Sequence, residues 1–410
     1  MERLRAWEPT ALQVYLAVFG PLIALYVLVP NPGLHPRGNH IDATTNAVTS
    51  WHMAMKRTVI LAEYAEATAP DYYRNIGWYV DSPRGPVSQY PPGAAAFGAP
   101  FYLIANDPAK YGWVAGNNRP DAPPILLPVP SVRPGQVAAS LAVAGAMGFV
   151  ALSVLATGAS WPLAVGAGLV GGIGTTMWPV AASALWQHGP GSFWVALGTY
   201  LAARDRLFLS GLAVGGAILT RPHLASVALG IGLAVAWHRK RIRPAILVGS
   251  GSAIGLAALL TYNWWLWGRV TIRGGYSESF VENLASPDLL GLVRNVFGAL
   301  FDPAVGLFII SPFLVLLVIR LAPAWREAPA WSRGAAMGGV LYLLLQLKAN
   351  RYSGGGGFVG YRYPLEALTA AGPLLALAYP DWARKSKVAR VGFWLLVMGS
   401  VIVFLRYWSN

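Results

Sequence analysis

No cysteine occurs among the 410 residues, which excludes disulfides, thiolate nucleophiles and cysteine-ligated metals. Charge is scarce too. Only 12% of residues are Asp, Glu, Lys or Arg, where a soluble globular protein has roughly a quarter. Acids are the rarer sign, 17 against 31 Lys and Arg, so the net charge is +14. The six histidines show no two-ligand helical spacing, which gives a metal site little support. What the chain has in quantity is apolar surface: 55% of it is hydrophobic, and its 17 Trp suit rings seated at headgroup level. The balance specifies an all-α polytopic membrane protein. Its basic excess is the ordinary cytoplasmic bias of such proteins, with part of it available to an anionic ligand.

The first apolar run, Ala11 to Val29, is too long for a signal peptide and ends in Pro30-Asn-Pro32 without a small-residue cleavage site. It predicts a first transmembrane helix within residues 1–30. Later apolar segments fall at 136–157, 161–182, 190–203, 207–220, 223–237, 245–264, 304–320, 335–347, 364–379 and 391–407, which makes about eleven spans. The polar segments between them divide the chain. A long loop, 31–135, precedes the helices of 136–264; a second loop, 265–303, precedes the C-terminal helices of 304–410, which carry a Gly-rich loop at 348–363. His238-Arg-Lys-Arg-Ile-Arg243, Arg384-Lys-Ser-Lys387 and Arg204-Asp-Arg206 mark the cytoplasmic side. Counting spans from those markers puts 31–135, His188, Arg221, 265–303 and 348–363 together on the other face. The apolar piece Gly93 to Ala105 is then a surface-lying or re-entrant helix, begun at Pro91-Pro92.

Two amphipathic surface helices are expected in these loops. One places Val48, Trp51, Met55, Val59 and Ala62 on one face. The other uses Leu289, Leu292, Val293, Val296, Phe297 and Leu300, started by Ser286-Pro-Asp288. No inverted repeat relates the halves, although a secondary transporter would often show one.

Chemistry concentrates on the loop face. Asp42, in Asn39-His-Ile-Asp42, is either the cap of the first surface helix or a base at the lipid–water boundary, and one carboxylate can do both. His188, in Leu185-Trp-Gln-His-Gly-Pro190, is either an interfacial hydrogen-bonding residue or a second catalytic group. Arg84, Arg221, Arg269, Arg273, Arg294, Arg351 and Arg362 are more arginines than the non-cytoplasmic face should hold. They either snorkel to headgroups or pair with phosphate oxygens. Arg351 and Arg362 flank four consecutive glycines, which make either a flexible connector or a close backbone approach to a ligand. Acceptor or sugar contacts are expected from His40, Asp81, Tyr90, Gln187, Tyr276 and Glu278, donor-phosphate contacts from Arg221, Arg269, Arg273, Arg351 and Arg362.

The order of short motifs resembles the GT-C superfamily of multi-spanning glycosyltransferases. The matching pieces are Asn39 to Asp42, Ser88 to Gly93, Leu185 to Pro190, Thr220 to Pro222, Tyr262-Asn263 with Trp267-Gly268, Asp302 to Pro312 and Gly356 to Tyr363. The topology is similar to the protein-mannosyltransferase and aminoarabinose-transferase branch. Those proteins carry an Asp-Glu pair in the early loop, whereas Ala43 follows Asp42 here, and His188 stands where some relatives place a second Asp. The resemblance implies transfer of one sugar, mannose or arabinofuranose, from a polyprenyl-phosphate donor to an acceptor hydroxyl on a glycan, lipid or protein. It implies inversion with Asp42 as general base, no required cofactor but room for a divalent cation, and no nucleic-acid partner. It also implies a bacterial plasma-membrane setting with an extracytoplasmic site. The alternative is a transporter or flippase for a lipid-linked or anionic solute, which leaves a loop of about a hundred residues without a use. A non-catalytic scaffold explains least.

Overall fold

The structure is a computed structural model that describes residues 9–29, 41–68, 79–114, 123–276, 278–354 and 359–409. The protein is mostly helical. Helix α1 (Ala11–Leu28) starts with a capping box, Thr10 and Gln13 each bonding back to the other's backbone. The first loop holds α2 (Ile41–Trp51), a hairpin of β1 (Tyr79–Ser82) and β2 (Gly85–Ser88), and α3 (Gly93–Ala105). It closes with a second antiparallel hairpin, β3 (Lys110–Val114) against β4 (Ile125–Val129). Then come α4 (Arg133–Leu155), α5 (Trp161–Ile173), α6 (His188–Ala203), α7 (Leu207–Thr220), α8 (Ala225–Arg239) and α9 (Arg243–Trp267). The second loop carries α10 (Glu278–Ala285) and α11 (Leu289–Phe301). The chain continues through α12 (Leu307–Ile310), α13 (Phe313–Ile319), α14 (Leu321–Glu327), α15 (Ala330–Ala349), α16 (Leu365–Lys385) and α17 (Lys387–Ser409).

Helices occupy every segment that hydropathy selects. Among the described residues, four are long and apolar enough to cross a membrane: Ala11–Leu28, Arg133–Leu155, Arg243–Trp267 and Lys387–Arg406. Two expected spans are broken. Segment 161–182 stops at Ile173 and resumes as a π-helical turn, Met177–Ala181, and segment 304–320 breaks at Ser311-Pro312 between α12 and α13. The breaks are stitched to each other and to the chain before α16. Ser311 Oγ donates to Gly174 O at 2.9 Å, and Thr176 Oγ1 donates to Tyr361 O at 2.5 Å. Backbone groups freed where a helix breaks need such partners in an apolar surrounding.

Small residues set the closest helix contacts. A Cβ on Gly255 of α9 would stand 2.2 Å from Gly215 O of α7, and one on Gly230 of α8 the same distance from Gly334 O of α15. Only glycine permits this approach, the usual device where apolar burial drives no association between helices.

The two surface-helix expectations fare differently. Asp288 caps α11 by accepting from Gly291 N at 2.8 Å, and Leu289, Val293 and Phe297 are exposed along one face. The helix from Val48 to Ala62 is not there. α2 begins at Ile41, continues through a π-helical turn, His52–Lys56, and ends at Arg57 in the left-handed region with φ 55°. It is buried on both faces, wedged against α3 and α4. Its polar residues are small, and their hydroxyls bond the preceding turn: Thr49 Oγ1 donates to Thr45 O and Ser50 Oγ to Asn46 O, both at 2.7 Å. Satisfied in this way, the polar face can be buried too.

Candidate active site

The first turn of α2 presents Asp42, a favourable end for a negative charge. The helix cannot slide. Asn46 Nδ2 donates to Leu185 O at 2.9 Å, and Ser50 Oγ lies 2.9 Å from Ala95 O of α3, its one proton shared between that carbonyl and Asn46 O. Two contacts aim the Asp42 carboxylate. Tyr90 OH donates to Oδ1 at 2.7 Å, and Arg362 Nη1 donates to Oδ2 at 2.6 Å across 320 positions of sequence. Arg362 is itself aimed: another guanidinium nitrogen donates to Gly354 O, where glycine takes φ +69°. Its guanidinium carbon stands 5.1 Å from the Trp186 ring and 5.3 Å from that of Tyr363. Burial alone would raise the Asp42 pKa, but the Arg362 charge and the hydrogen bonds from Arg362 and Tyr90 together hold it below the usual carboxylate range. Asp42 is therefore ionised at neutral pH. The Tyr90 hydroxyl is pushed well above its ordinary value by burial and then by Asp42, so it stays a donor.

Beside this pair sits a second charged group that the sequence reading missed. Glu366, in the first turn of α16, is fully buried and lies 3.0 Å from His188 Nδ1 through either oxygen. Arg221 Nη2 is 3.1 Å from His188 Nε2, and Arg221 Nη1 donates to Gln346 Oε1 at 3.0 Å and to Tyr342 OH at 3.3 Å. The Nε of Arg221 lies 3.5 Å from Glu366, an ion-pair distance without hydrogen-bond alignment. His223 adds a bond to Gln346 at 2.7 Å and stacks on Tyr342 at 4.9 Å.

These groups surround a polar cavity of about 290 Å³. Asp42, Tyr90, Gln187, Arg221, Tyr276, Arg351 and Arg362 all line it, so seven of the residues selected from sequence meet in one place. Gln89, Phe280, Asn283, Gln346, Ala349, Asn350 and Tyr363 line it too, unforeseen. Tyr276 stacks on Phe280 with ring centres 5.0 Å apart, and burial lifts its hydroxyl to about 12.

Other expected residues lie elsewhere. His188 is 0% exposed and stands behind Arg221 with both ring nitrogens engaged, so it does not face the cavity. Arg269 follows the left-handed Gly268 that ends α9 and is exposed. Arg273 braces the Tyr276 loop by donating to Tyr276 O at 3.0 Å. Asp81 is exposed on the β1–β2 hairpin, and Arg294 is exposed on α11. Arg84 donates to Trp265 O and lies 4.9 Å from the Trp265 ring. His40 and the side chain of Glu278 lie outside the described residues. No group of three His, Cys, Asp or Glu side chains suited to a metal occurs among the described residues.

A scan of the sequence against models of protein families, and a search of curated proteins, gave no match.

Proposed function

We propose that this chain is an integral membrane glycosyltransferase that moves one sugar from a polyprenyl-phosphate donor to an acceptor hydroxyl. The observation that carries the proposal is the convergence of Asp42, Arg362 and Arg221 on one polar cavity, from segments at both ends of the chain. An ionised carboxylate at a cavity wall can take the acceptor proton while the hydroxyl attacks the anomeric carbon from the face opposite the phosphate, giving inversion. The phosphate departs with the bonding electrons. Arginine contacts that strengthen as its charge grows favour that step. Neutral amides at Gln89, Asn283 and Asn350 suit sugar hydroxyls, and the Tyr276–Phe280 pair offers a ring face for the sugar. The site works on the extracytoplasmic side of a bacterial plasma membrane, within a bundle of about eleven spans. Mannose and arabinofuranose are the donors to try first, and the acceptor is a glycan, lipid or protein hydroxyl.

The test uses the full chain in proteoliposomes with polyprenyl-phosphate mannose and arabinofuranose. Asp42→Asn should lower turnover at least about a hundredfold, the low end of what a general base supplies, while the protein folds and still binds donor. Full turnover by that variant would remove Asp42 from the chemistry. Lipid movement across the bilayer without sugar transfer would favour the flippase alternative.

A further inference from the structure

Glu366 is a buried carboxylate that the transfer chemistry leaves unused. Its side chain is 0% exposed, against His188 on one side and Arg221 on the other. A guanidinium only donates, so the 3.1 Å contact from Arg221 Nη2 makes His188 Nε2 an acceptor and leaves the ring proton on Nδ1, aimed at Glu366. The tautomer is thus assigned from the network. Held at Nη1 by Gln346 and Tyr342 and at Nη2 by His188, Arg221 is 7% exposed yet still lines the cavity. Next to His188 in sequence, Gln187 is 2% exposed and lines the same cavity, and its Nε2 donor has no partner. A buried amide donor of this kind, beside a fixed guanidinium, points to an acceptor oxygen brought by a ligand.

Resting on the transferase reading, we propose that Arg221 and Gln187 seat the donor's phosphate, and that Glu366 is a positioning residue that holds Arg221 through His188 and matches the seat to a single negative charge. Among the described side chains, the charges on and just behind the wall are Arg221, Arg351 and Arg362 against Asp42 and Glu366, a balance of +1. A phosphodiester donor carries one negative charge. The phosphate monoester left after transfer carries close to two at neutral pH. The seat therefore suits the donor better than the product, and release follows from the chemistry.

The test is a binding measurement on the full chain in nanodiscs, with farnesyl phosphate, its methyl diester and inorganic phosphate as probes. In the native protein the diester should bind at least as well as the monoester. Glu366→Gln keeps an acceptor for His188 but removes the charge, so farnesyl phosphate should tighten roughly tenfold relative to the diester. Glu366→Ala also loses the hold on His188 and Arg221 and should weaken both lipids, as Arg221→Gln should; recovery of diester binding in the Gln variant marks positioning rather than bulk. An unchanged monoester-to-diester ratio in Glu366→Gln, with both lipids still bound, overturns the role of Glu366 and leaves the transferase reading standing. Failure of the native protein to bind either lipid sinks both. Inorganic phosphate competing as well as farnesyl phosphate would make the seat one for soluble anions and overturn the lipid-linked assignment. If Glu366→Gln does not fold, His188→Gln carries the test: weaker binding of both lipids is expected, and unaltered binding refutes the relay.

Discussion

Two hollows in this molecule differ in almost every respect. The larger, about 470 Å³, runs between α5, α13, α16 and α17 and is walled by Leu163, Val170, Phe313, Leu314, Leu375 and Phe393 among other apolar groups. The smaller, about 290 Å³, collects three arginines, a carboxylate and five amides. Size alone would send attention to the first. Yet an apolar hollow in a membrane bundle needs only side chains too small to fill it, whereas buried charge has to be held in place by partners. Asp42–Arg362 and Glu366–His188–Arg221 are such arrangements, each linking parts of the chain far apart in sequence. The lesson is that cost, rather than volume, singles out the candidate site.

The contrast can be broken, and the largest effect should come from Arg362→Met. The pair is largely but not fully buried, Arg362 10% and Asp42 15% exposed. Removing one partner should therefore cost about 3 kcal/mol, the low end for a buried pair, read as a lower unfolding temperature in detergent. The pH response should also change sign. In the native protein the Asp42 pKa is held low, so its contribution is present above the unfolded carboxylate value and is lost as pH falls through the folded one. Without Arg362, burial dominates and raises that pKa, so stability should instead fall as pH rises past the unfolded value. A pH series of melting curves for the two proteins decides the matter. Next in size is Leu314→Ala in the apolar hollow, where Leu314 is 4% exposed. It should cost about 2–4 kcal/mol while turnover per folded molecule stays unchanged; a specific loss of turnover would bring that hollow into the mechanism. Tyr90→Phe removes one hydrogen bond to Asp42 and should cost about 1 kcal/mol, with a modest fall in turnover measurable at saturating donor. The smallest effect belongs to Arg269→Gln, an exposed site away from either hollow, which should stay within about 0.5 kcal/mol and leave donor affinity as it was.

Much of this was legible in the sequence, for identifiable reasons. Helix positions followed from apolar runs, and the common location of Asp42, Arg221, Arg351 and Arg362 followed from counting spans between basic clusters. Glu366 escaped because it fell inside the 364–379 segment, where it was counted as part of a span; an acid within an apolar run was itself the available signal. Gln346 was hidden in the same way inside 335–347. The surface helix over 48–62 was misplaced because a 3-4-4-3 apolar spacing fits any helix with one greasy face. It cannot report that Thr49 and Ser50 satisfy their hydroxyls on their own backbone and so become fit for burial. Arg269 and Arg273 were grouped with the cavity arginines because excess charge on one face tells how many side chains need an explanation, but not which ones share a site.

The bond between Asp42 and Arg362 also has a bearing on how the protein is made. Synthesis delivers the acid early and its base only when most of the polypeptide has left the ribosome. Until then burying the carboxylate is costly, since a buried charge needs its partner. Chains stopped short of that arginine would leave the acid without this partner.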